Sequence, residues 1–148
     1  VSFTVSVKRT KHVDLSKVQM SLRGPKKVKV GFPAGEADSD VIDRAYWNHW
    51  GTTTIPERPF LSAAMRDNRD KYRQGMKASA VKLLTGKTTI SVVMSKLGIM
   101  AQGDIQESIS TWVSPPNAPS TIAQKGSSQP LIDSGEMRAA VTYKIGNF

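Results

Sequence analysis

Phe3, Val5 and Val7 alternate with Ser2, Thr4, Ser6 and Lys8, a period-two pattern that predicts a half-buried strand. Asp14 stands as a helix N-cap ahead of Leu15, Val18 and Leu22 on one helical face, and Arg23-Gly24-Pro25 stops that helix. In KKVKVGF, Val28, Val30 and Phe32 alternate with Lys27, Lys29 and Gly31, predicting a second strand closed by Pro33-Ala34-Gly35. Asp40 is expected to cap a short helix carrying Val41, Ile42, Ala45, Tyr46 and Trp50, with Gly51 ending it.

GTTTIPERPF follows, in which Pro56 and Pro59 fix two φ angles and push Ile55 and Arg58 toward extended conformations. This predicts a stiff connector. From Phe60 the pattern turns helical for about two dozen residues, with Leu61, Met65, Asn68, Tyr72 and Met76 recurring every three or four positions and Leu83 two turns further on. Gly75 weakens the middle of that helix and Gly86 ends it. A second long helix is expected from about Thr88 to Trp112, with Ile90, Val93, Leu97, Ala101, Ile105, Ser108, Ile109 and Trp112 as its inward stripe. The two would pair as a hairpin spine.

Ser114-Pro115-Pro116 breaks the second helix and opens a long Pro/Ser-rich loop, SPPNAPSTIAQKGSSQP, over about residues 114–130. A short helix over 133–140 and a strand over 141–145 complete the chain. The order β-α-β-α-α-α-α-β predicts an α+β fold, a small and mainly antiparallel sheet packed against a layer with two long helices. A chain of 148 residues without internal repeat suits one domain, 1–148.

Composition narrows the chemistry. With no cysteine there is no disulfide, thiolate zinc site or cysteine nucleophile, and two histidines, His12 and His49, are few for a metal centre. No apolar run approaches the ~20 residues of a membrane span, and the first residues lack the basic-then-apolar order of a secretory signal. The expectation is a soluble intracellular protein with no membrane association. Lys and Arg number 21 against 12 acids, a net charge of +9 that favours acidic partners. Lys8, Arg9, Lys11, Lys17, Arg23, Lys26, Lys27 and Lys29 crowd residues 8–29 with Asp14 as the only acid. A solvated surface is the ordinary reading of such a run.

Three strings invite a catalytic reading, and each has a structural one beside it. LIDSG, residues 131–135, has the form of an aspartic-protease turn, but that site needs two such loops on a strand-rich framework. Here two long helices precede it. Asp133-Ser134-Gly135-Glu136 instead has capping-box spacing, with Asp133 at the N-cap, Glu136 at N3, and Ile132 and Met137 placed as a hydrophobic staple. TGKTT, residues 85–89, resembles the end of a phosphate-binding loop, yet Val81 stands where that motif needs glycine. His49 has Asp43 and Glu57 nearby in sequence without a nucleophile in a recognised context, and reads as a structural histidine. Direct reading of DNA lacks a recognition helix or stacking platform, which leaves nonspecific phosphate contact by Lys26, Lys27 and Lys29. No catalytic residue, cofactor or metal is expected.

Three segments taken in order carry a family resemblance: VKVGFPAG; the helix ending NHWGTTTIPERPFL; and ISTWVSPPNAPSTIAQKGSSQPLIDSGEMRAAVTYKI. Together, over about residues 28–145, they resemble the minor tail and tail-completion proteins of long-tailed bacteriophages. The shared order is a strand, an aromatic helix ending in Gly-Thr, a Pro-x-Arg-Pro-Phe turn and a late Pro-Leu-Ile-Asp-Ser/Thr-Gly segment. The chain departs from that pattern at His49-Trp50-Gly51, where the family carries Glu-Phe/Tyr-Gly, and at Ser134, where Thr is commoner.

The resemblance implies a virion structural protein of the neck or tail, assembled in the host bacterial cytoplasm. It would form a homo-oligomeric ring, typically hexameric, that completes the tail or joins it to the neck. Neighbouring neck and tail proteins would be its partners. The interface candidates it implies are Trp50, Gly51, Pro56, Arg58, Pro59, Phe60, Pro115, Pro116, Lys125, Pro130, Asp133, Glu136 and Arg138. Lys26, Lys27 and Lys29 would meet acidic partners or passing DNA. The alternative function is a nonspecific DNA-binding protein using the basic N-terminal third.

Overall fold

The computed structural model describes Ser6 and residues 14 to 148. The strand expected at Phe3, Val5 and Val7, together with Lys8, Arg9, Lys11 and His12, lies outside the described residues. Within them the order is α1 (Leu15–Ser21), β1 (Lys27–Gly31), α2 (Ser39–Trp50), α3 (Phe60–Asp67), α4 (Arg69–Leu84), α5 (Ile90–Thr111), α6 (Pro119–Lys125), α7 (Glu136–Ala139) and β2 (Thr142–Gly146). The fold is α+β, with one antiparallel pair of strands against helices.

Helix α5 is the axis of the molecule. Its 22 residues span about 33 Å at 1.5 Å per residue, and Thr89 caps it by accepting the Val92 N–H at 3.4 Å. The inward stripe falls where the periodicity places it: Ile90, Val93, Ala101, Ile105 and Ile109 are buried. Around its C-terminal half, Phe60, Ile105, Ile109 and Val141 are almost wholly enclosed, joined by Val41, Ala45, Ala64, Leu131 and Met137. Burial of each such large side chain is worth about 1.5–3 kcal/mol relative to exposure. A smaller cluster of Leu83, Ile90, Val93 and Met94 surrounds its N-terminal half.

Strands β1 and β2 pair antiparallel, with Val28 opposite Ile145 and Val30 opposite Tyr143. Val28 and Ile145 pack against the smaller cluster and Val30 against the larger, so the alternating valines tie the sheet to both halves of α5. Gly98 sets how closely the sheet approaches: a Cβ there would lie 2.2 Å from Cδ2 of Tyr143.

Several expectations need correction. The helix starting at Phe60 is two helices, broken at Asn68, whose side-chain amide donates to the Ala64 carbonyl at 3.0 Å. Such local side-chain bonds compete with continued helix. Gly75 lies inside the second helix, α4, and faces Leu97 of α5. The N-cap of α2 is Asp38, and Asp40 lies in the first turn, where Arg44 four residues on holds its carboxylate at 2.9 Å. On α1 the expected apolar face is exposed at Leu15 and Leu22, and Ser21 is the buried residue. Residues 114–130 contain α6, entered through a proline at its N-terminus and left through Gly126 at φ 70°. TGKTT forms the turn between α4 and α5, with Gly86 at φ 67°.

Candidate functional site

The Pro-x-Arg-Pro-Phe turn folds back on the helix before it. Gly51 ends α2 at φ 74°, and any Cβ there would meet the Glu57 nitrogen at 3.0 Å and the Ile55 oxygen at 3.1 Å, so the close return needs glycine. The Thr52 N–H donates to Ile55 O at 2.8 Å and the Arg58 N–H to Asn48 O at 2.7 Å. Pro59 then stands at the N-terminus of α3 and Phe60 enters the core fully enclosed. Pro56 is exposed at the bend.

This turn delivers Arg58 into the protein, where it is only 3% exposed. Its Nε donates to Pro115 O at 2.9 Å, one terminal nitrogen to Asn48 Oδ1 at 3.0 Å, and the other to Pro116 O at 3.1 Å and Asn117 Oδ1 at 3.4 Å. No carboxylate pairs with it among the described residues. Burial lowers its pKa from the usual arginine value, and the rigid fork of donors compensates by saturating neutral oxygens. Arg58 thus pins the start of the Pro/Ser-rich segment, whose Ser114–Pro115 bond is cis, to the end of α2.

The far end of that segment closes a second contact. Lys125 donates to Gln129 O at 2.7 Å, and Asn117 Nδ2 reaches the same oxygen at 3.2 Å. Burial holds the Lys125 ammonium below its usual pKa, with Asp133 acting in the opposite sense. Pro130 is buried, and Lys125, Pro130, Asp133 and Glu136 share a shallow cleft of about 100 Å³ with Arg44 and Asn48 of α2.

The expected capping box is not formed. Helix α7 begins at Glu136 with Gly135 at its N-cap in the left-handed region, φ 86°, and no side-chain cap bond. Asp133 is exposed, and the Glu136 N–H donates a long bond, 3.4 Å, to Ser134 Oγ. The Glu136 carboxylate turns instead to Arg44 at 2.8 Å, where both donor and acceptor carry charge. Arg44 lowers the Glu136 pKa, and Glu136 in turn raises that of Arg44. Ile132 and Met137, the expected staple pair, both join the main core. Arg138 is exposed, and its carbonyl accepts from Gln106 Nε2 at 3.2 Å.

Helix α2 shows two faces. Val41, Ala45 and His49 are buried, while Tyr46, Trp47 and Trp50 are 60%, 45% and 62% exposed. Trp50 lies three residues from Trp47 and four from Tyr46, spacings that place the three aromatics on one outward face. His49 packs edge-on against Phe60 and Trp50, at 5.5 and 4.8 Å between centroids, and its Nε2 lies 3.3 Å from Ser62 Oγ. Burial lowers its pKa. Its Nδ1 has no hydrogen-bond partner among the described residues.

A groove of about 490 Å³ runs between α3 and the C-terminal end of α5. The buried Asp104 carboxylate reaches it, held by Lys71 and by the Tyr72 hydroxyl at 2.7 Å. The same groove is lined by Trp112, whose indole N–H has no partner among the described residues. Among the described residues no set of His, Asp or Glu could hold a metal ion, and no helix is long and apolar enough to cross a membrane.

The expected site residues therefore fall into separate places. Gly51, Arg58, Pro59, Phe60, Pro115 and Pro116 form one clamp; Lys125, Pro130, Asp133 and Glu136 line one cleft; Trp50 faces outward. At the far end of the sheet Lys26, Lys27 and Lys29 are exposed, with Lys27 Nζ donating to Phe148 O and Lys29 over the Phe148 ring at 4.2 Å. Asn48 and Arg44, which bridge clamp and cleft, were not predicted from sequence. The Asp40/Arg44 spacing of four was the one available signal. No family model, curated protein or solved structure matches the chain.

Proposed function

We propose that the protein is a structural subunit of a bacteriophage virion, one that assembles into a ring, typically of six copies, at the head-proximal end of the tail and completes the tail or joins it to the neck. The observation that carries this reading is the face of α2: three large aromatics, Tyr46, Trp47 and Trp50, held outward on a helix whose other side is core. Aromatic residues are enriched in the buried centres of protein interfaces and supply large contact area at small entropic cost.

Rigidity supports the same reading. The clamp of Arg58 on Pro115 and Pro116 holds α2, the connector and the Pro/Ser-rich segment as one surface, so docking would not have to order them. The ordered resemblance over residues 28–145 supplies the phage context. The function is one of assembly and involves no catalysis or cofactor. Gold-labelled antibody against the chain, applied to purified virions, is expected to decorate the junction of head and tail. Virions without label, or with label confined to the capsid or distal tail, would contradict the proposal.

A further inference from the structure

Two stretches of the chain carry cations and no acid. Between Asp14 and Glu36 stand Lys17, Arg23, Lys26, Lys27 and Lys29; between Asp70 and Asp104 stand Lys71, Arg73, Lys77, Lys82, Lys87 and Lys96. The fold packs the stretches together. Buried Ser21 of α1 donates its hydroxyl to Leu83 O of α4 at 2.7 Å. At Gly86 a Cβ would lie 3.3 Å from Lys17 Cβ, and at Gly24 one would lie 2.6 Å from Ser91 Oγ. Helix α1 thus rests against the C-terminal end of α4, and Lys17, Lys82 and Lys87 gather at one end of the molecule.

Helix α4 extends this basic region. It buries only Leu83, and Arg69, Arg73 and Lys77 are exposed at steps of four residues, about 6 Å of rise apiece. Arg73 has Asp70 at 3.4 Å and Lys17 has Asp14 at 3.9 Å. Arg23, Lys77, Lys82 and Lys87 enter no ion pair among the described residues.

We propose that the exposed face of α4, continued by α1, binds the phosphate backbone of duplex nucleic acid without reading its sequence. Solvated cations, most of them here outside any ion pair among the described residues, gain affinity chiefly by releasing the counterions condensed on a dense polyanion, and duplex DNA carries one charge per ~1.7 Å of axis. A docked acidic protein would call for desolvated aromatic anchors among the charges, and lysine is depleted in such interfaces. The single aromatic of α4, Tyr72, is committed to Asp104. The surface differs from the one expected at Lys26, Lys27 and Lys29, where two side chains are engaged by Phe148. It does not depend on ring assembly, because α4 and the aromatic face of α2 are separate elements.

The test is fluorescence anisotropy with two labelled duplexes of unrelated sequence, using the natural chain, R73Q/K77Q/K82Q/K87Q, and K77R/K82R/K87R. The natural chain is expected to bind both duplexes equally and to lose more than about tenfold in affinity between about 50 and 200 mM salt. The glutamine variant should bind more than about tenfold more weakly, with a log-log salt slope shallower by about 0.9 per lost contact, while the arginine variant keeps both affinity and slope. Absence of binding at low salt, an unchanged glutamine variant, or polyglutamate competing as well as unlabelled duplex at equal charge would overturn the proposal. The last outcome would assign the surface to an acidic protein.

Discussion

Arg58 Nε donates to the carbonyl oxygen of Pro115 at 2.9 Å, a bond across 57 positions of sequence that joins the connector after α2 to the segment after α5. Through it a buried guanidinium, paired with no carboxylate among the described residues, organises the surface on which the proposed assembly depends.

Arg58→Met fills similar space but leaves Pro115 O, Pro116 O and Asn48 Oδ1 without their donor. Relief of the buried charge offsets part of that loss, and the net destabilisation expected in urea unfolding is about 2 kcal/mol or more. Arg58→Lys should fare little better, since one ammonium cannot reproduce the fork. Both variants should become sensitive to proteolysis within residues 114–130. A Met variant as stable and as resistant as the natural chain would remove the clamp from this account.

Gly98 and Tyr143 set two effects against each other. Alanine in the middle of a helix normally gains about 1 kcal/mol over glycine. Here the added Cβ would fall 2.2 Å from the Tyr143 ring, and overpacking costs about 1–3 kcal/mol. Gly98→Ala is therefore expected to lower the midpoint of thermal unfolding, and G98A/Y143A to recover part of the loss. A rise in the midpoint for Gly98→Ala alone would mean that the sheet does not lie on α5 as described.

Tyr72 gives a pH signature at the alkaline end. Burial and the hydrogen bond to Asp104 raise its pKa above the ordinary tyrosine value. The folded protein then favours the neutral phenol, so this stabilisation is complete below about pH 10, where unfolded tyrosine begins to ionise, and fades as pH rises toward the folded value. Unfolding free energy measured from pH 8 upward should fall more steeply for the natural chain than for Tyr72→Phe. Parallel curves would show that Tyr72 does not titrate differently in the two states.

His49 gives the opposite signature in acid. Burial lowers its pKa, so the unfolded chain takes up a proton that the folded one resists. Its contribution is present above about pH 6.5 and is lost as pH falls through the folded value. Between neutral pH and about pH 5 the natural chain should lose more stability than His49→Gln, which cannot titrate. Equal losses would place the histidine in solvent.

The parts legible in the sequence were those with a strong period. The α5 stripe and the alternating valines of β1 are encoded by burial on one side of a regular element, and they survived intact. What was lost depended on partners distant in sequence. Asp133 and Glu136 have capping spacing, but spacing cannot reveal that Arg44, 92 positions away from Glu136, offers the carboxylate a stronger bond. Asn68 looked like one more helical position until its amide turned back on Ala64. Tyr46 and Trp50 matched an apolar helical face, and periodicity alone does not say whether such a face meets the core or solvent. Arg58 was marked by its motif, while its burial against proline carbonyls needed the fold.

Native mass spectrometry of the purified chain, beside W47S/W50S, tests the proposed ring most directly. A closed assembly near six times the 16.2 kDa chain mass is expected for the natural sequence, and folded monomers for the double variant, whose changes lie on the exposed face of α2. A natural chain that stays monomeric at all accessible concentrations, or a double variant that assembles as well as the parent, would contradict it.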